Sequence, residues 1–373
     1  MLLHIFLTLF FAAYVASILW ARIAGKLRFF ARSGGIVVVV LFVAATFFEA
    51  SIGLQSPFEW NRIRFVDVAA ITFAWIGFLD DRRGRSGADT AFLQILSVFA
   101  VAFFLFQPFV FPTELLYFSP IQGLSLLKIG SVFGLCFIAG SLLVYVNSFR
   151  SLERIDGLAP ALGTVYAGTL ETVVLAWEEP SLNMTFACLA LIAFLTGFLL
   201  LNIPPAKIRV GNAGSLSIGF LLACLTFCVF SYREYIRVVP ILCLWTLPTI
   251  EFALRIARRW SSKASATPPN QEGLCRSLRR RLGKDSYVLL AILALQMPLS
   301  AAVVVSYKTG YDFVSLVVAA LYWAGLLLSN LFGKKELKQI YLLVEKRSKN
   351  DAQDGDSFDK ENAPLNRKEK EEL

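Results

Sequence analysis

The chain has 373 residues and a formal net charge of +9, and 57% of its residues are hydrophobic. Those residues gather in long uninterrupted runs, which excludes an ordinary soluble domain. Six Cys, five of them inside the runs, exclude a disulfide framework, and basic loops facing anionic headgroups account for the charge with no nucleic acid as partner.

Bilayer hydrocarbon offers backbone groups no water, so each run of roughly 20 apolar residues is read as a spanning helix. Taken in order, the runs are 2–21, 35–53, 66–80, 91–112, 125–146, 157–176, 182–202, 212–231, 236–255, 286–306 and 313–333. The fold class is therefore all-α, a polytopic transmembrane bundle of about 11 spans. The first run is an anchor rather than a cleaved signal peptide, because its positive charge follows the apolar stretch.

Lys and Arg alternate between loops. Arg22, Lys26, Arg28 and Arg32 follow the first run, Arg82, Arg83 and Arg85 the third, Arg150 and Arg154 the fifth, and Lys207 and Arg209 the seventh. Nine more lie from Arg255 to Lys284 inclusive, whereas Trp177-Glu178-Glu179-Pro180 on the opposite side carries only acids. Positive residues stay cytoplasmic in short loops, which places the N-terminus outside and the C-terminus in the cytoplasm. Residues 1–333 form one transmembrane unit containing a cytoplasmic loop at 256–285. The tail, 334–373, opens with an amphipathic stretch from Glu336 to Lys346 and is otherwise too polar to fold.

Three polar clusters fall on the cytoplasmic side. Asp80-Asp81 ends the third run beside three arginines. Adjacent carboxylates suit a hard cation and arginines suit phosphate oxygens, although a solvated helix end has the same composition. The second cluster, Asn147 to Ala159, carries Glu153 and Asp156 three apart. The third runs from Asn202 through Pro204-Pro205 to Gly211-Asn212-Ala213-Gly214-Ser215 and opens the eighth run. Its glycines and helix N-terminus suit backbone approach to an anion, and equally suit close helix packing.

Together the clusters resemble those of the polyprenyl-phosphate N-acetylhexosamine-1-phosphate transferases, from about Lys26 to Lys284. The family pairs Asp-Asp with a Gln thirteen residues on, here Asp80, Asp81 and Gln94. Its Asn-rich segment ending in Asp-Gly-Leu is matched by Asn147 and Asp156-Gly157-Leu158. Its Asn-x-x-Pro turn and Gly-Asp-x-Gly-Ser are matched by Asn202, Pro205 and Gly211 to Ser215. Its Pro with an acid three later, followed by basic residues, is matched by Pro248, Glu251 and Arg258-Arg259. Gly34-Gly35 sits where the family opens its second span.

The resemblance implies transfer of a sugar-1-phosphate from a UDP-sugar, a UDP-N-acetylhexosamine, to polyprenyl phosphate in a bacterial cytoplasmic membrane. UMP is released, the pathway is envelope glycan synthesis, and a homo-oligomer is compatible. It implies Asp80, Asp81 and Asp156 as catalytic residues. Substrate contacts fall to Asn147, Arg150, Glu153, Asn202, Gly211, Gly214, Ser215 and Arg276. Asp81 and Asn212 are the implied ligands of Mg2+ or Mn2+.

Four positions depart from the pattern. Asn212 stands where the family has its metal-binding Asp, Arg150 where it has Asn, Glu153 where it has Asp and Arg154 where it has Gly. In place of a His-rich box the chain reads Gln271 to Arg276, and His4 is its only His. The alternatives are a divergent transferase, in which Arg150, Arg154 and Arg276 meet added negative charge, and a catalytically impaired relative serving as a binding or scaffold subunit. A transporter is disfavoured by the scarcity of ionisable residues within the runs.

Overall fold

The computed structural model describes residues 2–26, 33–51, 57–83, 88–106, 116–118, 127–129, 131–178, 180–232, 235–261 and 273–328. The tail 334–373 and the loop residues Gln271 and Glu272 lie outside these. Each apolar run has become a helix, in the order α1 (Leu2–Lys26), α2 (Ile36–Ser51), α3 (Pro57–Arg83), α4 (Ala88–Phe106), α5 (Ser131–Leu152), α6 (Leu158–Val174), α7 (Leu182–Asn202) and α8 (Gly211–Val229). Next come α9 (Val238–Leu244), α10 (Thr246–Ser261), α11 (Leu274–Leu282), α12 (Asp285–Thr309) and α13 (Phe313–Leu328). Among the described residues, five helices are individually long and apolar enough to cross a membrane, or six when α9 and α10 count as one span, as in a helical membrane bundle.

Several boundaries differ from the sequence reading. Helix α3 is helical already at Pro57, earlier than the expected 66. Helix α4 is described to Phe106. The ninth run is bent by 68° between α9 and α10. Pro248 cannot donate to the carbonyl of Leu244, which instead accepts a hydrogen bond from Gln296 Nε2 at 3.2 Å. The architecture is helical as expected, with one addition that the apolar runs did not show: β1 (Leu116–Phe118), β2 (Leu127–Ile129), β3 (Ser231–Tyr232) and β4 (Tyr235–Arg237) form a small sheet in the order β2-β1-β4-β3. Strand β4 is antiparallel to β3 and parallel to β1, so the sheet ties the α4–α5 and α8–α9 connections together at one end of the bundle.

The opposite end holds the polar clusters, and small residues bring them together. A Cβ placed on Gly77 would lie 2.5 Å from both the Cα of Ala213 and the carbonyl oxygen of Asn212, and one on Gly35 would lie 2.5 Å from the Cα of Gly214. Helix α8 is thus crossed at backbone contact by α3 and by the start of α2. Gly34 and Gly35 also donate to the carbonyls of Arg209 and Val210 at 3.0 and 2.9 Å, fastening the turn that leads into α8. Phe73 stacks on Phe220 along the same crossing with ring centroids 4.7 Å apart.

This packing predicts that Gly77→Val will overpack the crossing and cost roughly 1–3 kcal/mol or more. Gly140→Ala, where an added Cβ meets nothing within 4 Å, will leave stability unchanged or raise it slightly. Thermal unfolding of the two variants in detergent measures the difference.

Candidate active site

The ends of α3 and α5, the α5–α6 and α7–α8 turns and the first turn of α8 meet at this end of the bundle. Helix α8 opens at Gly211 with φ of 73°, a left-handed conformation that favours glycine, and its first N–H groups have no partner within the helix. Asp81 supplies one. Its Oδ1 accepts from the backbone N–H of Asn212 at 3.2 Å and from Asn212 Nδ2 at 2.7 Å, and its Oδ2 accepts from the N–H of Ala213 at 3.2 Å. A carboxylate from one helix thereby caps the N-terminus of another, at the end where the helix dipole favours negative charge. Burial pushes the Asp81 carboxyl above the usual carboxylate range, and these three N–H groups together with Arg150 pull in the opposite direction.

Asn212 is used at both ends of its amide. Its NH2 faces Asp81, and its Oδ1 accepts from Arg150 Nε at 2.8 Å. The same guanidinium places Nη1 3.1 Å from Asp80 Oδ2. Asp80 is 1% exposed, and neither of its carboxylate oxygens has an aligned hydrogen-bond donor among the described residues, so Arg150 answers it as a charge. The sequence Asp81, Asn212, Arg150, Asp80 is a continuous polar chain across α3, α8 and α5.

That chain bears on the expected metal. Both oxygens of Asp81 accept from α8, the one oxygen of Asn212 accepts from Arg150, and Asp80 faces the guanidinium. No group of three His, Cys, Asp or Glu side chains arranged to hold a metal ion occurs among the described residues. A dication within ~4 Å of the guanidinium would be repelled by about 8 kcal/mol at an effective dielectric near 20. The donor set implied by the resemblance, Asp81 with Asn212, does not fit Mg2+ or Mn2+ in this arrangement.

The remaining expected residues divide into two groups. Asn147 donates through Nδ2 to Gln94 Oε1 at 3.0 Å, joining α5 to α4 beside Arg150. Asp156 accepts from the N–H of Ala206 at 3.3 Å and lies 3.9 Å from Arg209 Nε, with part of its carboxyl open to solvent. Glu153 is half-buried in the turn after α5 rather than on a helical face shared with Asp156. Of the other residues expected at the substrate, Gly211 and Gly214 lie in the first turn of α8, and Asn202 and Ser215 bond to backbone. Asn202 is 2% exposed; its Oδ1 accepts from the N–H of Gly157 at 2.9 Å and its Nδ2 donates to the carbonyl of Ile208 at 2.5 Å. Gly157, with φ of 79°, provides the left-handed turn into α6. Ser215 is buried and donates to the carbonyl of Asn212 at 3.4 Å.

Beside this chain, Arg154, Arg255, Arg276 and Arg279 line a cavity of about 170 Å3 together with Glu251 and Cys275. Glu251 is almost fully buried. It pairs with Arg255 at 2.8 Å and accepts from the N–H of Cys275 at 3.2 Å, fastening α11 to α10. Desolvation first, and then Arg255 and Arg276, pull Arg154 below the usual arginine value against the opposing influence of Glu251. Arg255 and Arg279 were not singled out from the sequence. The four-residue step from Glu251 to Arg255 and the three-residue step from Arg276 to Arg279 are the signals that mark them.

The profile described as glycosyl transferase family 4 matches residues 63–229, from within α3 to the end of α8. The segment from within α3 to the end of α8 is similar to this family. A phospho-N-acetylmuramoyl-pentapeptide-transferase of Enterococcus faecalis is 28% identical over 195 residues, covering 50% of this chain and 59% of the relative. A Saccharolobus solfataricus protein provisionally named as a UDP-N-acetylglucosamine–dolichyl-phosphate N-acetylglucosaminephosphotransferase is 27% identical over 241 residues, covering 60% and 70%. A phospho-N-acetylmuramoyl-pentapeptide-transferase of Enterococcus hirae is 30% identical over 160 residues, covering 40% and 47%. The chain thus spans 47% to 70% of the length of these relatives. The matched segment holds Asp80, Asp81, Asn147, Arg150, Asp156 and Asn212, and ends before Glu251 and the arginine cavity.

With both ends of its amide engaged to backbone, Asn202 predicts a framework effect. Asn202→Ala will lower stability by about 1–3 kcal/mol in the absence of any ligand, read as a lower unfolding midpoint in detergent.

Proposed function

We propose that the chain transfers a sugar-1-phosphate from a UDP-sugar to polyprenyl phosphate at the cytoplasmic face of a bacterial membrane. The observation that carries the reading is the meeting of Asp80, Asp81, Asn147, Arg150, Asp156 and the N-terminus of α8 at one end of the bundle, from four separate stretches of chain. The names of the relatives favour a UDP-N-acetylhexosamine as donor. Helices α1 to α8, the bent pair α9–α10, α12 and α13 would make eleven crossings, and the alternation of Lys and Arg puts the site on the cytoplasmic side.

An oxygen of the lipid phosphate attacks the sugar-bearing phosphorus, a P–O bond forms to the lipid, and the P–O bond to the bridging oxygen breaks. The electron pair leaves with UMP, and the product is a polyprenyl diphosphate sugar. Both reactants are anions, so positioning and charge stabilisation dominate catalysis. The N-terminus of α8, Arg150 and the arginine cavity supply positive potential. Asp80 and Asp81 hold the guanidinium and the α8 N-terminus in place, and Asp156, with part of its carboxyl open, faces the substrate side.

The isoprenoid chain has a matching surface. An apolar cavity of about 560 Å3 is walled by α5, α9, α10 and α13. Cys136, Gly140 and Val144 line it at one-turn steps along α5, leading toward Asn147 and Arg150.

Purified protein given polyprenyl phosphate and a panel of UDP-sugars will release UMP with one of them, and Asp81→Asn will lower the rate about 100-fold or more. No UMP release with any sugar nucleotide would overturn the proposal.

A further inference from the structure

We infer that the guanidinium of Arg150 takes the place of a divalent cation in this site, so that the chain binds the diphosphate of its nucleotide sugar without metal. The inference rests on the transferase reading above and adds to it the identity of the charge that faces the diphosphate.

Two departures from the family pattern lie in direct contact. Arg150 stands where the resemblance puts Asn, Asn212 stands where it puts Asp, and Nε of the one donates to Oδ1 of the other at 2.8 Å. A dication beside one carboxylate carries a net single positive charge. A guanidinium beside a neutral amide carries the same, so the paired substitutions keep the local charge while changing what supplies it.

The geometry supports the exchange. Nε of Arg150 donates to Asn212 and Nη1 lies 3.1 Å from Asp80 as an ion pair, which together orient the guanidinium. Nη2 makes no hydrogen bond or ion pair among the described residues, and the side chain is 21% exposed, so one edge of a permanently charged group is left for an anion. Such an edge suits the oxygens of a diphosphate. Asn212 in turn is oriented by Asp81 at 2.7 Å, so its carbonyl is committed to Arg150.

The test measures binding of UDP-N-acetylglucosamine to the full-length protein in detergent by calorimetry, in excess EDTA and in excess Mg2+. It is joined by paramagnetic resonance of added Mn2+. The expected result is equal affinity in the two media, within about twofold, and a Mn2+ signal that the protein does not attenuate. The double variant R150N/N212D will lose about tenfold or more of its affinity in EDTA, regain it with Mg2+, and attenuate the Mn2+ signal. If that variant does not fold, R150K decides: a retained positive charge keeps binding in EDTA at a reduced level. Binding by the natural protein that requires Mg2+, or attenuation of the Mn2+ signal by it, overturns this inference alone. Absence of nucleotide-sugar binding in both media overturns it together with the transferase reading.

Discussion

Glycine at position 77 leaves α3 free to lie against the backbone of α8, and that approach is the constraint on which the polar end of the bundle depends. Only at this distance can Asp81 reach the first N–H groups of α8. Asp81 then orients Asn212, Asn212 orients Arg150, and Arg150 lies against Asp80. Gly35 against Gly214 repeats the device one helix away and fastens the turn before α8. A side chain at any of these glycines would separate the elements and release each polar contact in turn.

The same dependence explains the substitutions. An Asp at 212 would set a second carboxylate against Asp81 and remove the NH2 that bridges them, a like-charge contact that needs a cation to hold it. Asn212 removes that need, and Arg150 supplies positive charge at the same place. The arginine cavity walled by α10, α11 and the α5–α6 turn extends the positive surface beyond the matched family segment. Glu251 anchors that surface through Arg255 and Cys275, and its carboxylate lies where a Cβ at position 273 would fall, so a larger residue there would displace it.

The helices were legible because apolar length is dictated by the bilayer, and the site was legible as three short clusters because their spacing matches a family pattern. The partition of roles within the clusters was not. Asn202 and Ser215 read as ligand contacts in sequence, yet Asn202 meets backbone 6 and 45 residues away and Ser215 meets backbone 3 residues away, a choice made by the chain path rather than by residue type. The contact between Arg150 and Asn212 crosses 62 positions and depends on the packing of α5 on α8. The break between α9 and α10 had a local signal in Pro248, although the donor to the freed carbonyl of Leu244, Gln296, lies 52 residues from Leu244. The four strands are too short, at two or three residues each, to stand out from the apolar runs beside them.

The central claim is that this site moves a phosphate together with its sugar. It is tested most directly by following the phosphorus: UDP-sugar labelled with 32P in the sugar-bearing phosphate is incubated with the protein and polyprenyl phosphate in liposomes, and the lipid is extracted. The account predicts label in the lipid as a polyprenyl diphosphate sugar, with unlabelled UMP in the aqueous phase. Label remaining in the aqueous phase as UDP, with the sugar on a lipid monophosphate, would contradict it.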